Sequence, residues 1–275
     1  MQPAASLIIS FYNKIEYLKL ILAAVERQTF KNFEVIVADD GSKEDIVYQV
    51  KRLLSELPFQ AKHIWHEDSG FRKNTMLNKA IQQSNSDYLI FIDGDCVPHC
   101  RFVEEHVSNA NSKIVLAGRR VNLSQRLTAK LTPDGIKKGF LESVFTLQII
   151  FDGVFGGSTQ TLKGIYAPRG FVRTFLNRTT RGILGCNFSI HKQDLVDING
   201  FDERYQSPGI GEDTDIEVRL LRNNVEVRMV KNMAIQYHLF HKRLNRGSDN
   251  LKIFEEVLNT NVIITPYGLI KPEDV

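Results

Sequence analysis

The sequence predicts an α/β protein with a mostly parallel central sheet flanked by helices, on three observations. Short apolar runs alternate with helix-periodic stretches through residues 1–95, the pattern of strands joined by helical crossovers. Carboxylates stand where the apolar runs stop, in Asp39-Asp40-Gly41-Ser42 and in Asp93-Gly94-Asp95. Those stops mark the carboxyl ends of strands, the edge at which open α/β sheets bind ligands. An apolar share of 43% in 275 residues suffices for one substantial core.

Taken in order, Leu7-Ile8-Ile9-Ser10 reads as the first strand, and Ile15, Leu18, Ile21, Leu22 and Val25 recur on one face of a helix. Residues 33–38 form the second strand. The Gly41-Ser42 turn starts another helix, with Ser42 as N-cap and Asp45 in its first turn. A strand near 63–66, a helix near 72–83 and the strand Tyr88-Leu89-Ile90-Phe91-Ile92 lead into Asp93.

The middle is less regular. Residues 125–181 hold nine Lys/Arg and three Asp/Glu, a net of +6, while the remainder nets −3. Gly153, Gly156, Gly157 and Gly164 punctuate it, and Phe171 and Phe175 are interleaved with Arg169, Arg173, Arg178 and Arg181. Part of this stretch reads as long or mobile loops. A helix near 213–223, strands near 225–230 and 234–239, and a closing helix near 246–258 complete the chain. Without an internal repeat or a low-complexity linker, one domain is expected.

Composition excludes some functions. A net charge of +3 is too small for nucleic-acid binding. Cys96, Cys100 and Cys186 lack zinc-like spacing and suggest a reducing compartment without a disulfide framework. Cys96 and Cys100, four apart, would share a helix face, but two thiols alone make a poor zinc site. No basic-then-apolar leader opens the chain, and its apolar runs fall short of the ~20 residues that span a bilayer. A cytoplasmic protein is expected, at most peripheral at the inner face of the membrane.

Asp93 and Asp95 would repel each other unless a cation lay between them. Oxygen ligands suit Mg²⁺ or Mn²⁺, ions that commonly bridge to a substrate phosphate.

Four motifs occur in an order that resembles the family-2 inverting glycosyltransferases of GT-A fold, over roughly residues 5–240. They are Ser10-Phe11-Tyr12-Asn13; then Gln28-Thr29 with Glu34-Val35-Ile36-Val37-Ala38-Asp39-Asp40-Gly41-Ser42; then Gly70-Phe71-Arg72 with Asn78-Lys79-Ala80 and Asp93-Gly94-Asp95; and last Gly185-Cys186-Asn187-Phe188-Ser189, Gly200-Phe201-Asp202-Glu203 and Gly211-Glu212-Asp213. The third and fourth also resemble the chondroitin-polymerase and β-1,4-galactosyltransferase-like branch. The resemblance implies a single GT-A domain over 1–275. Residues 1–100 would form its nucleotide-sugar-binding half and 101–275 its acceptor-binding and catalytic half.

It further implies transfer of a sugar from a nucleotide-diphosphate sugar, with uridine the expected base, to a hydroxyl of a carbohydrate or glycolipid acceptor. The product would be a surface polysaccharide or lipooligosaccharide. A divalent cation, Mn²⁺ or Mg²⁺, would stabilise the leaving diphosphate. Asp95 is its expected protein ligand; Asp93, with Gly94, is assigned to the nucleotide sugar, through the ribose or a metal-bound water. The galactosyltransferase-like branch places a metal-binding histidine after the last strand: His238, closer to the strand end, with His241 the alternate. A surface histidine pair is the competing reading, and a histidine ligand would favour Mn²⁺.

The acceptor hydroxyl needs a base opposite the leaving group. Asp213, at a helix start that favours its ionised form, is assigned that role, and Glu212 a sugar hydroxyl. For the nucleotide, Asp40 or its neighbour Asp39 would accept hydrogen bonds from base or ribose. Phe11 and Tyr12 would line the base, Asp68 would read its edge and Arg72 would pair with the diphosphate; core packing is the competing reading for Phe11. Asn78 has a structural reading. Gly185-Cys186-Asn187 would floor the donor sugar, with Cys186 a small buried group. The basic aromatic stretch 163–181 would meet an anionic acceptor or a membrane surface. No Gln-x-x-Arg-Trp segment occurs and the only tryptophan is Trp65, which points to non-processive addition. Transfer to a polyprenyl phosphate, which needs no base, and a non-catalytic nucleotide-sugar-binding protein are the alternatives.

Overall fold

The computed structural model describes residues 2–168, 170–178, 180–242 and 249–271. Arg169 and Arg246, both part of the sequence reading, lie outside the described residues. Seven strands form the main sheet: β1 (Ala5–Phe11), β2 (Phe33–Asp39), β3 (Ala61–Trp65), β4 (Tyr88–Asp93), β6 (Ile114–Ala117), β8 (Asn187–His191) and β9 (Glu226–Met229). Their order is β3-β2-β1-β4-β8-β6-β9. Only β8 runs antiparallel to its neighbours, so the sheet is mostly parallel, as expected. A second sheet pairs β5 (Cys96–Pro98), β10 (Ile235–His238) and β7 (Arg119–Asn122) in the order β5-β10-β7.

Strand residues alternate between two buried layers. Leu7, Ile9, Val35, Val37, Ile90 and Ile92 join one core with α1 (Ile15–Glu26). Ile8, Ile36, Ala38, Leu89 and Phe91 join the other with α3 (Lys73–Gln83). Continuous apolar strands are what a parallel sheet covered on both faces requires. Each buried Leu, Ile, Val or Phe contributes about 1.5–3 kcal/mol.

Two local expectations are corrected. Ser42 does not cap α2 (Glu44–Ser55), whose N-cap is Lys43 without a side-chain cap. The Ser42 hydroxyl instead accepts the Asn13 N–H at 2.7 Å, fastening the β1 loop to the β2 loop. Part of residues 125–181 is irregular, as expected, and helices Gln125–Thr128, Pro133–Lys137, Phe145–Val154 and Phe171–Leu176 interrupt it. Ser124 and Thr132 cap the first two, and Ile136, Leu141, Phe145 and Ile149 are drawn into the core. Cys96 and Cys100 share no helix face, because Cys96 lies in β5. The closing helix runs Asp249–Asn259, and no described helix is long and apolar enough to cross a membrane.

Candidate active site

Asp93 ends β4 and Cys96 begins β5, so the two carboxylates flank a tight turn. Gly94 is required there: a Cβ would lie 2.7 Å from the Ser10 carbonyl oxygen. The Leu239 N–H donates to the Asp95 carbonyl at 2.8 Å, and β10 sets His238 opposite Cys96. Asp95 Oδ2 thus lies 3.5 Å from His238 Nε2 and 3.0 Å from His241 Nε2. Burial would raise the Asp95 pKa, but the bonds to His238 and His241 overcome it and hold the carboxyl well below its ordinary range. The Asp95 bond in turn raises His241. One carboxylate oxygen and two imidazole nitrogens all lie within 4.8 Å of one another. Three convergent ligands of this chemistry fit a divalent transition ion such as Mn²⁺. The alternate, His241, is therefore gathered into the same cluster as His238.

The Lys73 ammonium bridges Asp93 Oδ1 at 2.8 Å and Glu212 Oε1 at 2.7 Å. Burial disfavours its charge, yet Asp93 and Glu212 outweigh burial and raise its pKa well above the usual lysine value. Burial raises Glu212 as well, and Lys73 opposes that rise. The other Glu212 oxygen, Oε2, is buried without a hydrogen-bond partner.

Glu212 and Asp213 open the helix Glu212–Arg222. That helix is pinned from inside by Arg219, fully buried, which bonds Asp215 at 2.8 Å and the carbonyls of Ile198 and Gly200 at 2.8 and 2.9 Å. Asp213 is half-buried, and its Oδ2 accepts the Gly185 N–H at 2.9 Å. A Cβ on Gly185 would stand 3.4 Å from Glu212 Oε1 and 3.5 Å from Asp213 Cβ. These are ordinary contact distances, so the chain at Gly185 passes directly beside both carboxylates. Cys186 is buried, and its carbonyl accepts from Gln236 at 2.8 Å.

On the other side, the expected nucleotide residues divide. Phe11 is 3% exposed and belongs to the core, and Asp39 is fully buried with its oxygens held by Ser42 N–H and His63 Nε2, both at 2.9 Å. Neither side chain presents a surface to a ligand, which corrects their assignment: they build the strand end. The outward positions are Tyr12, Asp68 and Arg72, and Asp40 lies buried beneath them. Tyr12 is 50% exposed and its hydroxyl donates to Asp68 at 2.9 Å. The Gly70 N–H, followed by that hydroxyl, lowers the Asp68 pKa. Asp40 accepts the Arg72 N–H at 2.9 Å and lies 3.0 Å from His66 Nε2; burial raises its pKa against both contacts. The Arg72 side chain is exposed. Asn78 is structural, clamping the Phe201 N–H and carbonyl at 2.9 Å each and Glu203 at 3.0 Å.

Sequence reasoning missed Lys73 and Arg120. Arg120, in β7, donates to Cys186 Sγ at 3.4 Å. Burial opposes its charge, and the carboxylates of Asp93 and Asp95 favour it.

The glycosyl transferase family 2 model matches residues 6–159, and a model described as the N-terminal domain of galactosyltransferase matches 172–242. The chain is 28% identical to a chondroitin synthase of Escherichia coli over 242 residues, 85% of this chain and 34% of that protein. It is 29% identical to a hyaluronan synthase of Pasteurella multocida over 229 residues, 79% of this chain and 22% of that protein. The chain therefore spans about a third or less of these relatives. S. aureus TarS 1-349 in complex with UDP-GlcNAc aligns with a TM-score of 0.58 at 15% identity, covering 92% of this chain and 65% of that one. Mannosyltransferase PcManGT from Pyrobaculum calidifontis, in complex with GDP-Man and Mn²⁺, aligns at 0.56 and 14% identity, covering 88% and 59%. The two structures establish the fold as GT-A. With its first model covering more than half of the sequence, the chain belongs to glycosyl transferase family 2.

Proposed function

We propose that the protein transfers a sugar, with inversion and one residue at a time, from a nucleotide-diphosphate sugar to a carbohydrate hydroxyl in surface polysaccharide or lipooligosaccharide synthesis. The observation that carries this reading is the joining of two carboxylate sets at one sheet edge. Lys73 links Asp93, beside the Asp95–His238–His241 cluster, to Glu212, beside Asp213. A donor seated there would have its diphosphate on one side and a base on the other. The kinship with chondroitin and hyaluronan synthases supports a polysaccharide product. The UDP-GlcNAc and GDP-Man complexes of the structural relatives support a nucleotide-sugar donor.

Asp95, His238 and His241 would hold Mn²⁺ or Mg²⁺, which supplies Lewis-acid stabilisation of the leaving diphosphate. Tyr12, Asp40 and Asp68 would contact the nucleoside, and the exposed Arg72 guanidinium would pair with phosphate oxygens. Asp213 takes the acceptor proton as the acceptor oxygen attacks the anomeric carbon. The bond from that carbon to the diphosphate breaks, and the nucleoside diphosphate leaves with the electron pair. A single in-line displacement inverts the centre.

The test is hydrolysis and binding of a panel (UDP-glucose, UDP-galactose, UDP-N-acetylglucosamine, UDP-N-acetylgalactosamine, UDP-glucuronate and GDP-mannose), each with Mn²⁺, Mg²⁺ or EDTA. One donor bound and turned over, with loss in EDTA, is the expected result. No binding by any donor would move the non-catalytic reading to the front.

A further inference from the structure

We propose that His99, Cys100 and Glu142 form a second metal site, selective for Zn²⁺ and separate from the Asp95–His238–His241 cluster. One imidazole nitrogen, the thiol sulfur and one carboxylate oxygen all lie within 4.8 Å of one another. His99 and Cys100 follow β5, and Glu142 ends the short helical turn Phe140–Glu142, 42 positions beyond Cys100. The Cys100 N–H donates to Glu142 Oε1 at 3.2 Å, which joins the two segments. Cys100 Sγ stands 3.8 Å from His99 Nδ1. Two ligands on one tetrahedral Zn²⁺ stand about 3.5 Å apart, given Zn–S and Zn–N bonds of about 2.3 and 2.0 Å. The Arg101 N–H donates to His99 Nδ1 at 3.2 Å, so that nitrogen carries the lone pair a metal takes. A hydrogen bond of that length is at the weak end of the range and is readily exchanged for an ion.

The surroundings fit the same reading. Arg27 holds Glu142 Oε2 at 3.1 Å and the Lys137 carbonyl at 3.0 Å. It orients the carboxylate, as partners behind a metal ligand do, and leaves lone pairs on both oxygens. Arg101, the other nearby cation, is paired with Glu104. The Tyr237 hydroxyl is wholly buried and makes no hydrogen bond. Burial, and then the Glu142 carboxylate, raise its pKa. An ion with three protein ligands keeps a water in its fourth place, a polar group of the kind that this hydroxyl lacks. The thiol proton leaves to solvent as the ion binds. Thiolate beside imidazole suits Zn²⁺, whereas Mn²⁺ and Mg²⁺ prefer oxygen. The Asp95 cluster counts no thiol among its three groups, so the two sites select different ions. With its side chain 20% exposed, Glu142 gives the ion a way in. Once bound, the ion would fasten the end of β5 to the middle segment.

Co²⁺ titrated into the metal-free protein tests this, because a thiolate bound to Co²⁺ gives a near-ultraviolet absorption band. The wild-type protein should show the band, and Zn²⁺ should remove it. C100S should abolish it, H99Q and E142Q should each weaken Co²⁺ about tenfold or more, and H241A should keep it. The proposal fails if the wild type shows no band, if the band survives C100S, if it is lost in H241A, or if H99Q and E142Q change nothing. Should the variants not fold, alkylation of Cys100 in the wild-type protein decides, followed by peptide mass spectrometry. Zn²⁺ should suppress the labelling and Mn²⁺ should leave it unchanged; labelling that ignores Zn²⁺ overturns the site. None of these results depends on whether a sugar donor binds.

Discussion

The two halves of the molecule build their share of the site differently. In the first, residues leave the sheet from parallel strand ends in register: Phe11 pairs with Asp39, Asp39 with Trp65, and Ser10 with Asp93. A carboxylate after an apolar run is placed there by strand geometry alone. In the second, His238 arrives through antiparallel pairing with Cys96, and Asp213 arrives on a helix pinned by the buried Arg219. Position there depends on long-range packing. The first half should tolerate change as a rigid frame, while the second depends on contacts between residues far apart in sequence.

The largest effect should come from the second half. D213N keeps the shape and can accept one of the two N–H groups, of Gly185 or Thr214, that Asp213 accepts, but loses the base. Turnover should fall roughly 10²–10⁴-fold with donor affinity kept. Initial rates beside donor calorimetry check it; unchanged turnover would remove Asp213 from the mechanism and weaken the contrast between the halves.

How far the sequence revealed this site follows the same division. β1, β2 and β4 were legible because each is an apolar run buried on both faces, and Asp93 and Asp95 because they end one. Asp213 was legible through its helix start and the family motifs. Lys73 was not: nothing near it in sequence shows that its partner lies 139 positions away. Nor could alternation tell that Phe11 and Asp39 face inward. The helices of 125–181 were hidden because three of the four are six residues or fewer, and only Gln125–Thr128 and Pro133–Lys137 carry a side-chain cap.

A second test probes the buried seam beside Asn187 through pH. His106 is fully buried, with Asn187 Oδ1 3.1 Å from Nε2 and Ser189 Oγ 2.7 Å from Nδ1. Burial pushes its pKa from 6.5 down to about 3. The unfolded chain binds this proton below about pH 6.5, while the folded chain stays neutral to about pH 3. Its contribution is therefore complete above pH 6.5 and is lost as pH falls toward 3. The loss amounts to at most about 4–5 kcal/mol. Urea unfolding from pH 7 to 4 should show that slope, and H106Q should flatten it.

Metal binding asks whether both histidines of the second half act together. H238A and H241A should each weaken Mn²⁺ by about 100-fold or more, since even indirect partners of a metal cost 10–100-fold. Titration followed by electron paramagnetic resonance reads this directly. Loss in H238A alone would make His241 a bystander held by Asp95.

The smallest effect lies on the join between the halves. Asn78, on α3 of the first half, holds both backbone groups of Phe201, and the Asn74 side chain donates to the Asp202 carbonyl at 2.7 Å. Phe201 and its neighbours precede the helix that carries Asp213. N78A would leave the Phe201 N–H and carbonyl buried without partners, at a cost of roughly 1–2 kcal/mol. Donor affinity should hardly change, because Tyr12, Asp40, Asp68 and Arg72 are untouched. Turnover should fall modestly if the clamp sets where Asp213 stands. Thermal unfolding beside kcat and KM separates the cases: lower stability with unchanged kcat would mean that Arg219, Glu217 and Arg222 fix the helix without the clamp, and that the halves are joined for stability rather than for alignment.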